Sequence, residues 1–398
     1  AYLRWNYVPA PACIYQGLNK LEPGTILRLG GGGEPVIRQF WSLREIAANG
    51  SKEPIALSDQ EAADQLASLL ADAVGGRMLA DVPLGAFLSG GIDSSLVAAL
   101  MQDQSERPVK TFTIGFEEAR FNEATYAKAV AKHLGTEHHE LYLSSRDAMD
   151  IVPELPTMFD EPFADSSQIP TYLVSRMTRD HVTVSLSGDG GDELMAGYTR
   201  YQLADGMSRR FGAVPAPLRR SMAGALGLLP DALWDGVGGL LPASISKGRL
   251  GDRVGRFRDF LEQDDENAIY RRQHTNWSQT EKIIAANDIA AKTPCDRSLS
   301  ADFPHFVSRM QYMDFVGYLP NDILTKVDRA SMAVSLEVRV PLLDHRVVEF
   351  SWQLPFHQKF RNGKGKWLLR QVLDRYVPAD LIERPKAGFG VPIAAWLR

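Results

Sequence analysis

Apolar positions recur along this chain with two different periods, and the change of period outlines its organisation. Two short β-prone runs, Thr25 to Leu29 and Pro35 to Trp41, flank Gly30 to Gly33 and predict a hairpin. Residues 47–57 (AANGSKEPIAL) are polar, contain Gly and Pro, and predict a linker. Ser58 and Glu61 then have capping-box spacing, and Leu66, Leu69, Leu70, Ala73 and Val74 follow at helical spacing. Beyond them, strand and helix patterns alternate. Val82 to Leu88, Thr111 to Phe116 and Val182 to Leu186 predict buried strands, with Leu141 to Leu143 a weaker one. Leu96, Val97, Leu100 and Met101 define one helix face; Tyr126, Ala127, Val130 and Leu134 define another, stopped by Gly135. A further helix is predicted around Thr171 to Met177. This alternation predicts an α/β fold, a parallel sheet with helices on both faces. From about residue 200 the pattern is helical with little strand signal, and Gly224 to Pro242 predicts a buried or partner-facing helical segment. Two units are expected: a β-rich one over 1–45 and an α/β domain over 46–398.

Composition removes several function classes. Of 398 residues, 44% are hydrophobic and 23% charged, as in a globular protein with a sizeable core. A net charge of -5 gives no basic excess for a nucleic acid or an anionic membrane, so neither partner is expected. No apolar run approaches the ~18 residues needed to span a bilayer. Two cysteines, Cys13 and Cys295, exclude a disulfide scaffold and a four-thiolate zinc site, which fits a reducing, cytoplasmic setting. Cys13 lies in an apolar, strand-like stretch (Val8 to Tyr15), where it reads as packing.

The chemistry concentrates in two loops. Leu88-Ser89-Gly90-Gly91-Ile92-Asp93-Ser94-Ser95 stands where a strand ends and a helix begins. Its glycines let the backbone turn N–H groups inward, its hydroxyls add donors, and the helix start adds positive potential. Such a loop suits a pyrophosphate, with Mg²⁺ bridging to Asp93. The Walker spacing and its lysine are absent. Ser187-Gly188-Asp189-Gly190-Gly191-Asp192-Glu193 follows the strand at Val182 to Leu186. A solvated turn is the plainer reading of that composition. Three crowded carboxylates repel unless a cation is present, however, and in a parallel sheet both loops open on one crevice.

Together these motifs resemble the N-type ATP pyrophosphatases, and more narrowly the synthetase domain of glutamine-hydrolysing asparagine synthetases. Asp160-Glu161-Pro162-Phe163 with Ser166-Ser167, Tyr318-Leu319-Pro320, Lys326-Val327-Asp328-Arg329, Glu337 to Asp344 and Arg384 to Phe389 continue the resemblance in order. It implies an adenine nucleotide alpha-hydrolase-like sheet and a ligase that joins aspartate to ammonia. In that chemistry the β-carboxylate attacks the α-phosphorus of Mg-ATP, giving β-aspartyl-AMP and pyrophosphate, and ammonia displaces AMP. Carried over by position, Ser89, Gly90, Gly91, Asp93, Ser94 and Ser95 would hold pyrophosphate, and Asp93 with Asp192 would hold Mg²⁺. Phe87, Leu88, Ile114, Ser187 and Gly188 would line the adenosine. Lys386 would stabilise the pentavalent phosphorus, and Asp189 would deprotonate the ammonium where some members carry glutamate.

Ala1 replaces the cysteine nucleophile that starts the family's glutaminase half, so residues 1–45 are expected to be the tail of that domain, with the rest of it missing. A homodimer is allowed. Two alternatives stay open, a relative amidating another carboxylate (a polysaccharide uronic acid or a β-lactam precursor) and a non-catalytic ATP sensor, and a further class that uses such a loop is tRNA thiolation. Thiolation would want a redox or catalytic cysteine pair, which the spacing of Cys13 and Cys295 does not offer, and a basic excess, which is absent. His138-His139 lacks a third ligand at metal spacing, and Arg209-Arg210 with Arg219-Arg220 predict a solvated helix face or a contact with a missing domain. Lys359 to Lys366 (KFRNGKGK) predicts either a surface turn or a loop that closes over nucleotide.

Overall fold

The computed structural model describes residues 1–116, 122–211, 214–238, 250–263, 265–277, 299 and 301–383. Two sheets form within them. The predicted hairpin pairs β1 (Thr25–Arg28) with β2 (Val36–Gln39), antiparallel, Thr25 opposite Gln39. The main sheet holds β3 (Leu84–Phe87), β4 (Lys110–Phe116), β5 (Glu137–Leu143), β6 (Val184–Leu186) and β7 (Glu337–Arg339). Its order is β5-β4-β3-β6-β7, and every neighbouring pair is parallel. The chain builds outward from β3 to β5, then crosses back to place β6 on the other side of β3. That reversal makes the β3–β6 boundary the topological switch point, where open parallel sheets bind ligands beyond their carboxyl ends.

Period-2 alternation sorts the strand residues onto two faces. Ala86, Leu88, Val184 and Leu186 join one core cluster with Leu66, Leu70, Leu96, Val97, Leu100 and Met101. Phe112, Ile114 and Phe116 join the other with Ile169, Tyr172, Leu173 and Val174, and Phe87 packs against it. Helices Asp59–Met78, Ile92–Asp103 and Ala124–Leu134 supply the first cover, and Gln168–Arg179 supplies the second. Each fully buried Leu or Val contributes about 1.5–3 kcal/mol, so these two layers fix the sheet. The capping box is present at the start of Asp59–Met78, with Ser58 accepting from Glu61 and returning the bond.

Four sequence expectations need correction. The linker over 47–57 is half helix: Leu43–Lys52 is helical behind an Ser42 N-cap, and Ala47, Ala48 and Gly50 are buried. A Cβ on Gly50 would lie 2.5 Å from the Trp352 carbonyl oxygen, so this glycine serves close packing rather than a turn. The weak strand at Leu141 to Leu143 is the end of a seven-residue edge strand that includes His138 and His139. A strand does occur beyond residue 200, because β7 forms the other edge. Val8 to Tyr15 forms no strand, and Cys13 is half-buried there; Cys295 lies outside the described residues.

After residue 200 the described chain is otherwise helical, including Ala216–Leu226 and Asp231–Gly238. Arg209 is exposed and pairs with Asp205, whereas Arg219 is buried. No helix among the described residues is long and apolar enough to cross a membrane.

Candidate active site

Ala86 and Leu186 are register partners, so the loops that follow β3 and β6 leave the sheet side by side. In the first loop Gly90 has φ +72, and a Cβ there would lie 2.8 Å from the Ala127 nitrogen. Only glycine meets both demands. The Ser89 amide donates to Ser94 Oγ at 3.2 Å, the two hydroxyl oxygens are 3.0 Å apart, and the Gly91 amide donates to Ser89 Oγ at 3.3 Å. Gly91 then caps the helix Ile92–Asp103, with Asp93 in its first turn. Ser95 differs from its neighbours. It is fully buried, and its hydroxyl has no hydrogen-bond partner among the described residues.

The second loop presses against the first. A Cβ on Gly188 would lie 2.6 Å from the Ser94 nitrogen and 2.8 Å from the Asp93 carbonyl carbon. The Ser187 amide donates to the Arg339 carbonyl at 2.9 Å, so β7 anchors the start of this loop. The Ser187 hydroxyl donates to Asp189 Oδ2 at 2.6 Å. Burial raises the Asp189 pKa above the usual carboxylate value; the Ser187 bond and the Lys326 cation oppose that shift, and Asp192 reinforces it.

Asp93 and Asp192, one from each loop, converge on a single point. The ammonium of Lys366 occupies that point, 2.8 Å from Asp192 Oδ1 and hydrogen-bonded to Asp93 Oδ2. Burial alone would lower the Lys366 pKa, but Asp192 and Asp93 outweigh it and keep the group protonated. Lys366 ends the basic segment singled out at Lys359 to Lys366, yet only the fold reveals its place, 273 residues from Asp93 in sequence. Among the described residues no group of three or more His, Cys, Asp or Glu could hold a metal. Two carboxylates suffice for Mg²⁺ when phosphates and water complete its shell, and a cation already seated between them shows that the donor set suits a positive ion.

Lys326, distant in sequence, acts electrostatically on Asp189 and belongs to a second charged group. Lys326 Nζ is 2.7 Å from Asp165 Oδ2 and 4.0 Å from Asp322 Oδ1. Arg329 reaches Asp160 at 3.2 Å. Lys326 keeps Asp165 ionised despite burial, while burial and Asp165 push Asp322 toward its protonated form. Behind the acidic loop, burial and Asp192 raise Glu193 to about 7, and Tyr198 donates to it at 2.5 Å. The fully buried Asp314 accepts from Arg200 at 2.8 Å, Tyr270 at 2.7 Å and Tyr201. Asp314 opens a π-helical stretch, Asp314–Ile323, with Pro320 inside it, and its partners come from the helices Thr199–Phe211 and Glu266–His274, so no sequence period announces the network.

Of the residues expected to line adenosine, Phe87 and Ile114 belong to one face of the sheet and Leu88 to the other, with Leu88 and Ile114 buried in the core. Ser187 and Gly188 stand at the crevice itself. His138 Nδ1 bonds Thr111 at 2.9 Å, while its Nε2 is buried without a hydrogen-bond partner among the described residues, and His139 pairs with Glu137 at 3.1 Å. Lys386 lies outside the described residues.

Known proteins resemble this chain along its whole length. A protein of Mycobacterium tuberculosis named as a glutamine-hydrolyzing asparagine synthetase is 36% identical across all of this chain, which covers 58% of that protein. Asparagine synthetase 1 of Bacillus subtilis is 31% identical, with 100% of this chain and 59% of the relative covered. The Bos taurus asparagine synthetase is 35% identical over 83% of this chain and 44% of its own length. The chain thus spans less than two thirds of the curated relatives it matches. A family model described as asparagine synthase matches residues 65–398, which include both loops and Lys366, and the chain belongs to the asparagine synthase family.

Proposed function

We propose that this chain carries the ATP-dependent, AMP-forming half of asparagine synthesis. The observation that carries the reading is the meeting of the two loops at the β3–β6 switch point, with Asp93 and Asp192 aimed at one cation position. In this reading ATP places its pyrophosphate portion over Ser89, Gly90, Gly91, Ser94 and the start of the helix Ile92–Asp103, where backbone N–H groups and the helix dipole favour negative charge. Ser95 contributes through its backbone, since its side chain is buried. Asp93 and Asp192 hold Mg²⁺, which supplies charge neutralisation on the phosphates when bound. Phe87, Leu88, Ile114, Ser187 and Gly188 line the adenosine end in this reading, Leu88 and Ile114 through their backbone because their side chains are buried.

The acceptor is the β-carboxylate of aspartate, which attacks the α-phosphorus and forms β-aspartyl-AMP as pyrophosphate leaves. Lys386 opposes the negative charge that develops there. Asp189, made more basic than an ordinary aspartate by burial, takes a proton from the ammonium nucleophile, and ammonia displaces AMP to give asparagine. The Lys326–Asp165–Asp322 group holds one buried cation whose charge opposes the upward shift that burial gives Asp189.

Incubating the protein with Mg-ATP, aspartate and ammonium chloride tests this directly, with pyrophosphate and asparagine followed together. Both should form in equal amounts and depend on all three substrates. Pyrophosphate that rises only with another carboxylic acid would move the acceptor elsewhere. ATP binding without pyrophosphate under any acceptor would overturn the enzymatic reading.

A further inference from the structure

Lys366 is held in place by more than its charge. Its backbone is in the left-handed region at φ 59, a conformation that costs a side-chain-bearing residue on the order of 1 kcal/mol. The Lys366 amide donates to the Met195 carbonyl at 2.6 Å, tying the residue to the turn that carries Asp192. Just upstream, Arg361 and Lys364 exchange backbone hydrogen bonds at 2.9 and 3.0 Å and close the preceding turn. The side chain is only 7% exposed, and its ammonium lies between the two carboxylates assigned to magnesium. One position cannot hold a lysine ammonium and a divalent ion at the same time, because two cations in contact repel and compete for the same oxygens.

We propose that Lys366 is the resident counter-ion of the metal site: it bridges Asp93 and Asp192 while no nucleotide is bound, and it leaves that position when the divalent cation arrives with ATP. The inference rests on the reading that these two carboxylates hold Mg²⁺. It makes Lys366 a positioning residue. Two carboxylates that would otherwise repel stay aimed at one point, and free Mg²⁺ meets an occupied site. A single positive charge on a flexible four-carbon stem is displaced more readily than a rigid structural ion pair. Metal binding is therefore linked to nucleotide, because phosphate oxygens supply the extra ligands that favour Mg²⁺ over the ammonium.

The test measures metal, not turnover. Mn²⁺ binding to nucleotide-free protein, followed by its EPR signal, should be about tenfold tighter in Lys366→Gln than in the wild type, a coupling of ordinary size for adjacent charges. Lys366→Arg should stay close to wild type. Adding Asp192→Asn to Lys366→Gln should abolish the gain. Thermal unfolding supplies a second readout: Mg²⁺ should raise the melting temperature of Lys366→Gln and leave that of the wild type nearly unchanged. Equal Mn²⁺ affinity in Lys366→Gln and wild type would overturn the proposal. Wild type with ATP separates this failure from failure of the site assignment. Mn²⁺ binding there that is lost in Asp192→Asn, without a gain in Lys366→Gln, rejects only the counter-ion role. No effect of Asp192→Asn even with ATP rejects the metal assignment and the proposal with it.

Discussion

A methyl group on Gly188 would sit 2.6 Å from the Ser94 nitrogen, and neither partner in that contact is a side chain that can swing away. Gly188→Ala must therefore separate the acidic loop from the helix start. Calorimetric titration should show ATP affinity reduced by about tenfold or more, with a smaller loss in melting temperature than a core substitution causes. Asp189 makes a different prediction. As a base it acts only when ionised, and burial raises its pKa, so the ammonia-dependent rate should rise with pH through a carboxylate limb displaced above the ordinary Asp value. Asp189→Asn should remove that limb and slow asparagine formation by about a hundredfold or more while pyrophosphate release persists. Loss of both products in parallel would contradict the assignment. Both loops were legible in sequence because their glycines, hydroxyls and acids are contiguous. Lys366 was not, since proximity to Asp93 is created by the fold, and nothing in KFRNGKGK distinguishes its last lysine from Lys364, which is exposed.

Strands β3, β4 and β6 were legible as apolar runs because the sheet buries them on both faces. The edges were not. β5 reads EHHELYL, a polar sequence suited to an edge strand, and β7 is three residues long and mostly polar, too short to show any period. Yet β7 anchors the start of the acidic loop through Arg339, so an element nearly invisible in sequence shapes the site. Inside the short helix Gly191–Leu194, Glu193 is buried and raised to about 7. Its folded state binds the proton more tightly than the unfolded chain does, so its contribution to stability is full below about pH 4.5 and is lost as pH rises toward 7. Glu193→Gln, which keeps an acceptor for Tyr198, should gain on the wild type between pH 5 and pH 8 by up to about 3 kcal/mol in denaturant unfolding. A constant difference across that range would show that Glu193 does not titrate there.

At the scale of the whole molecule, the β1–β2 hairpin stands apart from the packed sheet. Ile26 and Leu27 are adjacent, so they face opposite sides of the ribbon, and they are 54% and 47% exposed; on the partner strand Ile37, opposite Leu27, and its neighbour Val36 are each 61% exposed. A two-stranded ribbon bare on both faces is a site for association. Sedimentation velocity of the 398-residue protein should show concentration-dependent oligomers, and Leu27→Lys with Ile37→Lys should reduce them without altering ATP binding. The hairpin itself was plain in the sequence, whereas its lack of cover was not, because apolar β-prone runs look the same whether buried or bare.

The crossing that places β6 beside β3 also governs how the protein is made. β3 ends at Phe87 and its second neighbour begins at Val184, so a ribosome working at about 5–20 residues per second needs on the order of ten seconds to deliver it. From Leu143, where β5 is complete, until β6 arrives, the longest sheet the growing chain can form is β5, β4 and β3, with one edge of β3 bare. The central strand of the finished sheet is therefore the one whose edge stays open longest during synthesis, and the acidic loop that meets the loop after it emerges only once β6 has been made.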